Sequence, residues 1–174
     1  MTKTVSETTQ VYRVYIRASP QAVWDAITKP EWTEKYGYGG RSVYELRPGG
    51  TYRGYTSDAM KKAGAARGGK VPDVAIEGEV IEADAPRKLV LTWHMVMDAT
   101  TSAEPFTRLT YEIEEAPGGV SRLTLIHELE GAPKVAGILS GEFEAQGAGG
   151  GWSWVLSDLK TLLETGTAFT GGQP

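Results

Sequence analysis

Cysteine is absent from this sequence of 174 residues, and histidine occurs only twice. The absence of cysteine excludes disulfide bonds, thiol nucleophiles and zinc sites built from thiolates. The two histidines, His94 and His127, fall on different phases of predicted strands, and the nearby glutamates are scattered rather than placed at metal-ligand spacing. We therefore expect no metal site and no cofactor.

The sequence also lacks a strong charge of one sign and a long apolar run. Its net charge is −4, and no cluster of Lys and Arg is present, so we expect no nucleic-acid partner. No segment approaches the about 18 consecutive apolar residues of a membrane-spanning helix, and the first residues are polar. We expect neither a membrane span nor a signal peptide, and a cytoplasmic location, although the lack of cysteine fits any compartment.

The composition is that of an ordinary globular domain, with 40% hydrophobic and 23% charged residues. A chain of this length buries a sizeable hydrophobic core without covalent cross-links. The polar residues 1–8 and the small, polar residues 167–174 are expected to be flexible ends. The sequence thus predicts one domain over residues 9–166.

The chain begins with a strand that leads directly into a helix. Residues 9–17 alternate as a strand does, and Ser19 followed by Pro20 is typical of a helix start. Pro30 ends this helix, and a second, shorter helical segment is predicted near residues 31–36.

The middle of the chain is predicted to be antiparallel β structure, with a hairpin followed by four longer strands. The predicted strands are 42–47, 51–57, 74–83, 89–96, 106–115 and 120–130. In the last strand, Leu123, Leu125 and His127 share one face, which is expected to point inward. Residues 58–71 are interpreted as a solvated, mobile loop with one helical turn or none; the alternative is a lid over a pocket.

A long amphipathic helix is predicted after an irregular segment, 131–150. Its apolar stripe has the helical offsets 0, 3, 4, 7, 10 and 11, and comprises Trp152, Val155, Leu156, Leu159, Leu162 and Leu163. Gly166 is the expected helix stop. Trp154 lies about 160° from this stripe and should face away from the sheet. We expect Trp154 either to pack on residues 131–150 or to belong to a partner surface. The sequence therefore leaves open whether the protein forms a homodimer.

A sheet with one apolar face needs a cover, and only the last helix is long enough to supply it. We therefore predict an α+β helix-grip fold: a curved antiparallel sheet of six to seven strands wrapped around the C-terminal helix, with two short helices after the first strand. Where the sheet and the helix diverge, a cavity is expected.

Motifs spread over residues 9–165 resemble one known family. They are Ala18-Ser19-Pro20 with Val23-Trp24, Pro30, Trp32, Leu46-Arg47-Pro48-Gly49-Gly50, Gly78 with Val80, Pro86 with Leu89–Trp93, Gly119–Leu125 with His127, and Gly151-Trp152 with Leu156 and Leu159. In this order they resemble the SRPBCC superfamily (START/Bet v 1-like, helix-grip), and within it the AHSA1-like group, the activator of Hsp90 ATPase homologue domain. The resemblance implies the fold but no single function.

The residues expected to line the cavity are mostly aromatic. They are Trp32, Tyr52, Trp93, Met95, Tyr111, His127, Trp152 and Leu156. Such a lining favours a flat or hydrophobic ligand held by burial and stacking. His127 is either a hydrogen-bonded core histidine or a polar contact to a ligand, whereas His94 is expected to point outward.

Three functions remain open at this stage. The first hypothesis is a binding protein that sequesters, senses or carries a hydrophobic small molecule. The second hypothesis is an enzyme, because the family also includes polyketide cyclases and aromatases. For such an activity, His127 with Tyr111 or Glu77 would be weak catalytic candidates. The third hypothesis is a protein partner of the Hsp90-activator type. The namesake co-chaperones resemble this domain only in their C-terminal half.

Overall fold

A computed structural model describes residues 8–170 of the chain. In that range the strands are β1 (Thr9–Ile16), β2 (Ser42–Tyr44), β3 (Thr51–Tyr55), β4 (Val74–Asp84), β5 (Lys88–Met95), β6 (Thr107–Ala116) and β7 (Val120–Glu128). The α-helices are α1 (Pro20–Thr28), α2 (Pro30–Thr33), α3 (Asp58–Ala66), α4 (Ala99–Ser102), α5 (Pro133–Leu139) and α6 (Gly151–Thr165). Of the chain ends expected to be flexible, residues 1–7 and 171–174 lie outside the described residues.

The seven strands found in residues 8–170 form one sheet in the order β1-β7-β6-β5-β4-β3-β2. Every neighbouring pair is antiparallel, as the sequence predicted. The pairing register shifts at Gly54/Tyr55 in β3 and between Val80 and Glu82 in β4. Irregularities of this kind bend a strand and increase its twist. The sheet is therefore curved, and its inner face packs against α6.

The apolar stripe of α6 is buried as its spacing predicted, at Trp152, Leu156, Leu159 and Leu162. These side chains share one core with the inward residues of the central strands, which include Leu89, Leu91, Leu109, Leu123 and Leu125. Full burial of one such aliphatic side chain contributes roughly 1.5–3 kcal/mol. This packing confirms the helix-grip arrangement. Among the helices of the described residues, none has the length and apolar character that a membrane span requires.

The short helices begin where capping residues allow. The Ser19 hydroxyl accepts a hydrogen bond from the Ala22 amide at 3.1 Å, so α1 starts as predicted. Within the segment expected to be a loop, Ser57 caps α3 in the same way, accepting from the Met60 amide at 3.2 Å. That segment therefore contains a helix of 9 residues, longer than the single turn allowed for it. Because α3 buries none of its residues, it carries no apolar stripe by which the sequence could reveal it.

A buried carboxylate holds residues 167–170 against α6. Asp158 on α6 is fully buried, and its oxygens accept hydrogen bonds from the Gly37 amide, the Phe169 amide and the Thr170 hydroxyl at 2.7–2.8 Å. Three donors replace the water that the carboxylate loses on burial. Residues 167–170 are thereby held against α6, in a segment expected to be flexible.

The start of α6 depends on glycine. Gly151 has a φ of +69°, a conformation that residues with a Cβ rarely adopt. A Cβ at this position would also collide with the Leu139 carbonyl at the end of α5. The Gly151 amide donates to the Tyr38 hydroxyl at 3.1 Å. The close approach of α5 thus sets where α6 begins and aims Trp152 at the sheet.

Candidate functional site

Aromatic side chains converge where the first turn of α6 faces the sheet. We call them the interior aromatic cluster, which consists of Tyr36, Tyr44, Tyr52, Trp93, Tyr111, His127 and Trp152. Tyr44 and Tyr52 stack with ring centroids 4.7 Å apart. The Trp152 ring lies 6.2 Å from Trp93 and 6.5 Å from Tyr111. The cluster thus joins five strands to α6 and brings together residues distant in sequence.

His127 is the polar centre of this cluster, and it is fully buried. The Trp152 indole Nε1 donates to His127 Nδ1 at 3.1 Å, so Nδ1 is the acceptor of a neutral ring. The proton on His127 Nε2 is donated to Thr107 Oγ1 at 2.7 Å, and this hydroxyl donates to the Trp93 carbonyl at 3.0 Å. Both ring nitrogens therefore have partners, and the chain of hydrogen bonds connects α6 with β5, β6 and β7.

Burial lowers the pKa of His127 to about 3 from its ordinary value of 6.5. The cause is the loss of hydration that the charged imidazolium would suffer in this interior. The neutral ring, in contrast, matches the donor from Trp152 and the acceptor at Thr107. At neutral pH His127 is uncharged, with no free lone pair or proton to exchange with a ligand.

The tyrosines of the cluster are neutral for the same reason. Burial raises the pKa of Tyr52 to about 12 and raises the pKa of Tyr44 and Tyr111 well above 10. Burial likewise raises the pKa of Tyr36, whose hydroxyl donates to the Ala26 carbonyl at 2.8 Å. The interior aromatic cluster is thus uncharged at physiological pH, and it disfavours a charged ligand.

The Tyr111 hydroxyl lacks the hydrogen bonds that engage His127, Trp152 and Tyr36. Tyr111 is only 9% exposed, and its hydroxyl has no hydrogen-bond partner among residues 8–170. Within the same residues, the Nε of Arg122 is the one inaccessible side-chain polar atom without a partner. The Tyr111 oxygen must therefore touch space that a water-sized probe can reach.

The structure brings together five of the eight side chains expected to line a ligand cavity, namely Tyr52, Trp93, Tyr111, His127 and Trp152. Leu156 follows one turn later on α6 and is 6% exposed. Met95 is partly buried at the edge of the same core. Trp32 is also partly buried, and the Nζ of Lys35 lies 4.4 Å from its ring centroid. A binding role for these residues stays a prediction.

Sequence reasoning missed Tyr36 and Tyr44. The signal for Tyr44 was present, because the predicted hairpin pairs it directly with Tyr52. For Tyr36 no periodic pattern exists, since it lies in the irregular segment after α2. Its burial is decided by the hydroxyl bond to the end of α1 and by the sheet beneath it.

Glu77 lies away from the interior. Its Oε1 is 3.2 Å from the Nδ1 of His94, its neighbour across the β4–β5 pair. The His94 Nε2 is 3.1 Å from the Ser102 carbonyl, and the His94 ring stacks on Phe106 at 4.4 Å. His94 follows Trp93 in β5 and so takes the opposite face of the sheet. The structure therefore does not bring Glu77 to His127, and the three weak catalytic candidates form no common site.

Two depressions on the surface involve other residues. One of about 640 Å³ lies at the start of α1, between Ser19, Arg87 and Glu114. The other, of about 370 Å³, lies beside Trp154 and Phe169. Trp154 faces away from the sheet as predicted, is 38% exposed, and packs edge-on against Phe169 with centroids 4.8 Å apart. Among the described residues, no three His, Asp or Glu side chains come together as a metal site would require.

Comparison with known proteins assigns the chain to a family. The family model described as Activator of Hsp90 ATPase homolog 1-like protein matches residues 17–164, which is most of the chain. The match begins at the end of β1 and ends in the last turn of α6, so it includes all seven members of the interior aromatic cluster. No curated protein sequence matches the chain at a significant level.

Several solved structures share the fold. Protein MLL2253 from Mesorhizobium loti is 17% identical with a TM-score of 0.63, over 89% of this chain and 96% of that one. PFC0360w from Plasmodium falciparum, described as an HSP90 activator, is 14% identical with a TM-score of 0.61, over 90% and 96%. CalU16 from Micromonospora echinospora is 17% identical with a TM-score of 0.58, over 95% and 76%. Identities this low establish a common fold and leave function to the site.

Proposed function

This chain belongs to the Activator of Hsp90 ATPase homolog 1-like family, and from that premise we propose that it binds a hydrophobic, aromatic small molecule between the sheet and α6. The observation that carries the proposal is the interior aromatic cluster with its accessible Tyr111 hydroxyl. A protein with this site would sequester, sense or carry its ligand.

The chemistry of the cluster supports binding by burial rather than by charge. Indole and phenol rings from several strands present flat apolar surfaces, on which an aromatic ligand stacks or packs edge-on. Removing about 200 Å² of apolar ligand surface from water contributes roughly 5 kcal/mol before the costs of association. A small aromatic molecule would therefore bind with a Kd no tighter than about 0.2 mM unless polar contacts add to it.

The enzyme hypothesis has less support in the geometry. A cyclase or aromatase of the polyketide type needs an acid or base within reach of its substrate. His127 is neutral with both nitrogens engaged, and Glu77 pairs with His94 on the opposite face. Tyr111, whose pKa is raised by burial, stays protonated at neutral pH and is not available as a base. Membership of a family named for Hsp90 activation makes a chaperone partner the second alternative, although the exposed surface offers no specific observation in its favour.

Native mass spectrometry of freshly purified protein, followed by denaturing extraction, tests the proposal directly. We expect a co-purifying aromatic compound, or a gain in thermal stability from a panel of neutral aromatic compounds. An empty protein that gains nothing from the panel overturns the proposal and favours the partner-protein or enzyme alternatives.

A pair of variants on α6 locates the ligand. Leu156→Phe adds volume beside Trp152 and should weaken binding at least tenfold, because the ring occupies space next to the cluster. Leu163→Phe is the matched control, since Leu163 is partly buried two turns further along the same helix. Calorimetric titration of both variants should show the loss only in the first. Equal losses, or none, would place the ligand elsewhere.

A further inference from the structure

We propose that Tyr111 is the specificity-determining residue of this site, whose hydroxyl donates a hydrogen bond to a carbonyl oxygen on a neutral, flat aromatic ligand. This inference rests on the proposed function and sharpens it, since it states which chemical group the interior selects. Three observations lead to it: how Tyr111 is held, which polar groups around it are already engaged, and the absence of charge in the cluster.

The backbone and ring of Tyr111 are rigidly placed. In β6 the residue pairs with Leu89 of β5 on one side and with Leu125 of β7 on the other. Both leucines are fully buried, and the Trp152 ring meets the Tyr111 ring at an interplanar angle of 86°. A hydroxyl on a ring held from three sides has little freedom to turn toward another protein group. A ligand group that meets it loses little conformational entropy in the protein.

Within the described residues, His127, Trp152 and Tyr36 already have hydrogen-bond partners. Trp152 donates to His127, His127 donates to Thr107, and Tyr36 donates to a backbone carbonyl. The Tyr52 hydroxyl makes no hydrogen bond of normal geometry within the described residues, but its polar neighbours are the side chains of Ser42, Tyr44 and Trp93. The Tyr111 hydroxyl has neither a hydrogen bond within these residues nor a polar neighbour of this kind, and it lies at the edge of accessible space.

The missing partner is an acceptor without charge. A phenol can donate or accept, but once a ligand covers the hydroxyl and excludes water from it, a donor without an acceptor is costly, so a ligand acceptor gains most here. A carboxylate or phosphate would lose its hydration against side chains that carry no charge at neutral pH. A ketone or quinone oxygen on an aromatic ring meets both conditions.

Two isosteric probes test this directly. 2-Acetylnaphthalene carries a carbonyl where 2-isopropenylnaphthalene carries a methylidene group of nearly the same shape. We expect wild-type protein to bind the ketone about fivefold more tightly by calorimetric titration, the gain of one neutral hydrogen bond. Tyr111→Phe should lose this preference while binding the alkene unchanged.

The control is Tyr12→Phe, which removes a half-buried hydroxyl outside the cluster that donates to Gln10 Oε1 at 2.9 Å. This variant should keep the fivefold preference. Thermal unfolding of Tyr111→Phe should match that of wild type, because the hydroxyl it removes makes no bond within the protein. If the wild type binds both probes equally, or if Tyr111→Phe keeps the preference, the inference is wrong while the binding site stands. If neither probe binds, both the inference and the proposed site fail.

Discussion

The two histidines lie in one sheet but on its two faces, and their surroundings differ in kind. His127 on the inner face meets one donor, the Trp152 indole, and one hydroxyl, that of Thr107. His94 on the outer face meets two acceptors, the Glu77 carboxylate and the Ser102 carbonyl. The neutral ring satisfies the first arrangement, in which one nitrogen accepts and the other donates. The partners, rather than the residue type, decide what a histidine does.

The two faces of the sheet also differ in what their polar groups contribute. On the inner face, both nitrogens of His127 are engaged within the described residues, so the interior presents aromatic surface and the hydroxyl of Tyr111. On the outer face the contact between His94 and Glu77 is partly solvated, with 38% of the glutamate side chain exposed. A pair of that kind contributes little to stability. The substitutions below test whether the two faces differ as much as their geometry indicates.

Replacing the inner histidine should have the largest effect. His127→Ala leaves the Trp152 N–H and the Thr107 hydroxyl without their buried partner and opens a cavity. We expect the free energy of unfolding to fall by about 3 kcal/mol, measured by urea denaturation at pH 7. A loss below about 1 kcal/mol would show that the hydrogen-bond chain does not hold α6 to the sheet.

Lowering the pH should reproduce part of this effect in the unmodified protein. The pKa of His127 is lowered to about 3 in the folded state, against 6.5 for a free histidine. The unfolded chain therefore binds the proton first, so stability is full above pH 6.5 and declines as the pH falls toward 3. Between pH 6.5 and pH 5 the loss should be about 2 kcal/mol.

This pH window isolates the histidine from the acidic residues. The exposed carboxylates with lowered pKa values, such as Glu45 and Glu164, exchange protons below about pH 4.5. Urea denaturation between pH 5 and pH 7 should thus show the decline in wild type and its absence in His127→Ala. A decline of equal size in the variant would assign it to other groups.

Replacing the outer histidine should have the smallest effect. His94→Ala removes a partly solvated contact with Glu77, a hydrogen bond to the end of α4 and the stacking with Phe106. We expect a loss of about 1 kcal/mol by the same urea measurement. A double-mutant cycle with Glu77→Ala should return a coupling energy of about 0.5 kcal/mol. A loss as large as that of His127→Ala would erase the distinction between the faces.

Much of the fold was predictable because it follows from local periodicity. Alternation put Leu123, Leu125 and His127 on the inner face, and the helical spacing of Trp152, Leu156 and Leu159 identified the covering helix. Ser19 marked the start of α1 by the chemistry of its hydroxyl. In contrast, α3 escaped because an exposed helix needs no apolar stripe, and its capping residue Ser57 was the only local signal.

The candidate site was predictable only as a list of inward aromatic residues. Their hydrogen bonds were not, since Trp152 and Thr107 lie 25 and 20 residues from His127 along the chain. The same holds for Asp158, which no sequence pattern distinguished from a surface carboxylate. Its hydrogen-bond donors, the amides of Gly37 and Phe169, lie 121 and 11 positions away along the chain.

The sequence by itself determined which side chains face inward, because strand and helix periods act on neighbouring residues. Only the tertiary structure decided which of those side chains satisfy one another, because a hydrogen bond depends on atoms from distant segments meeting within about 3 Å. That pairing engaged both ring nitrogens of His127 and left the Tyr111 hydroxyl without a hydrogen bond among the described residues.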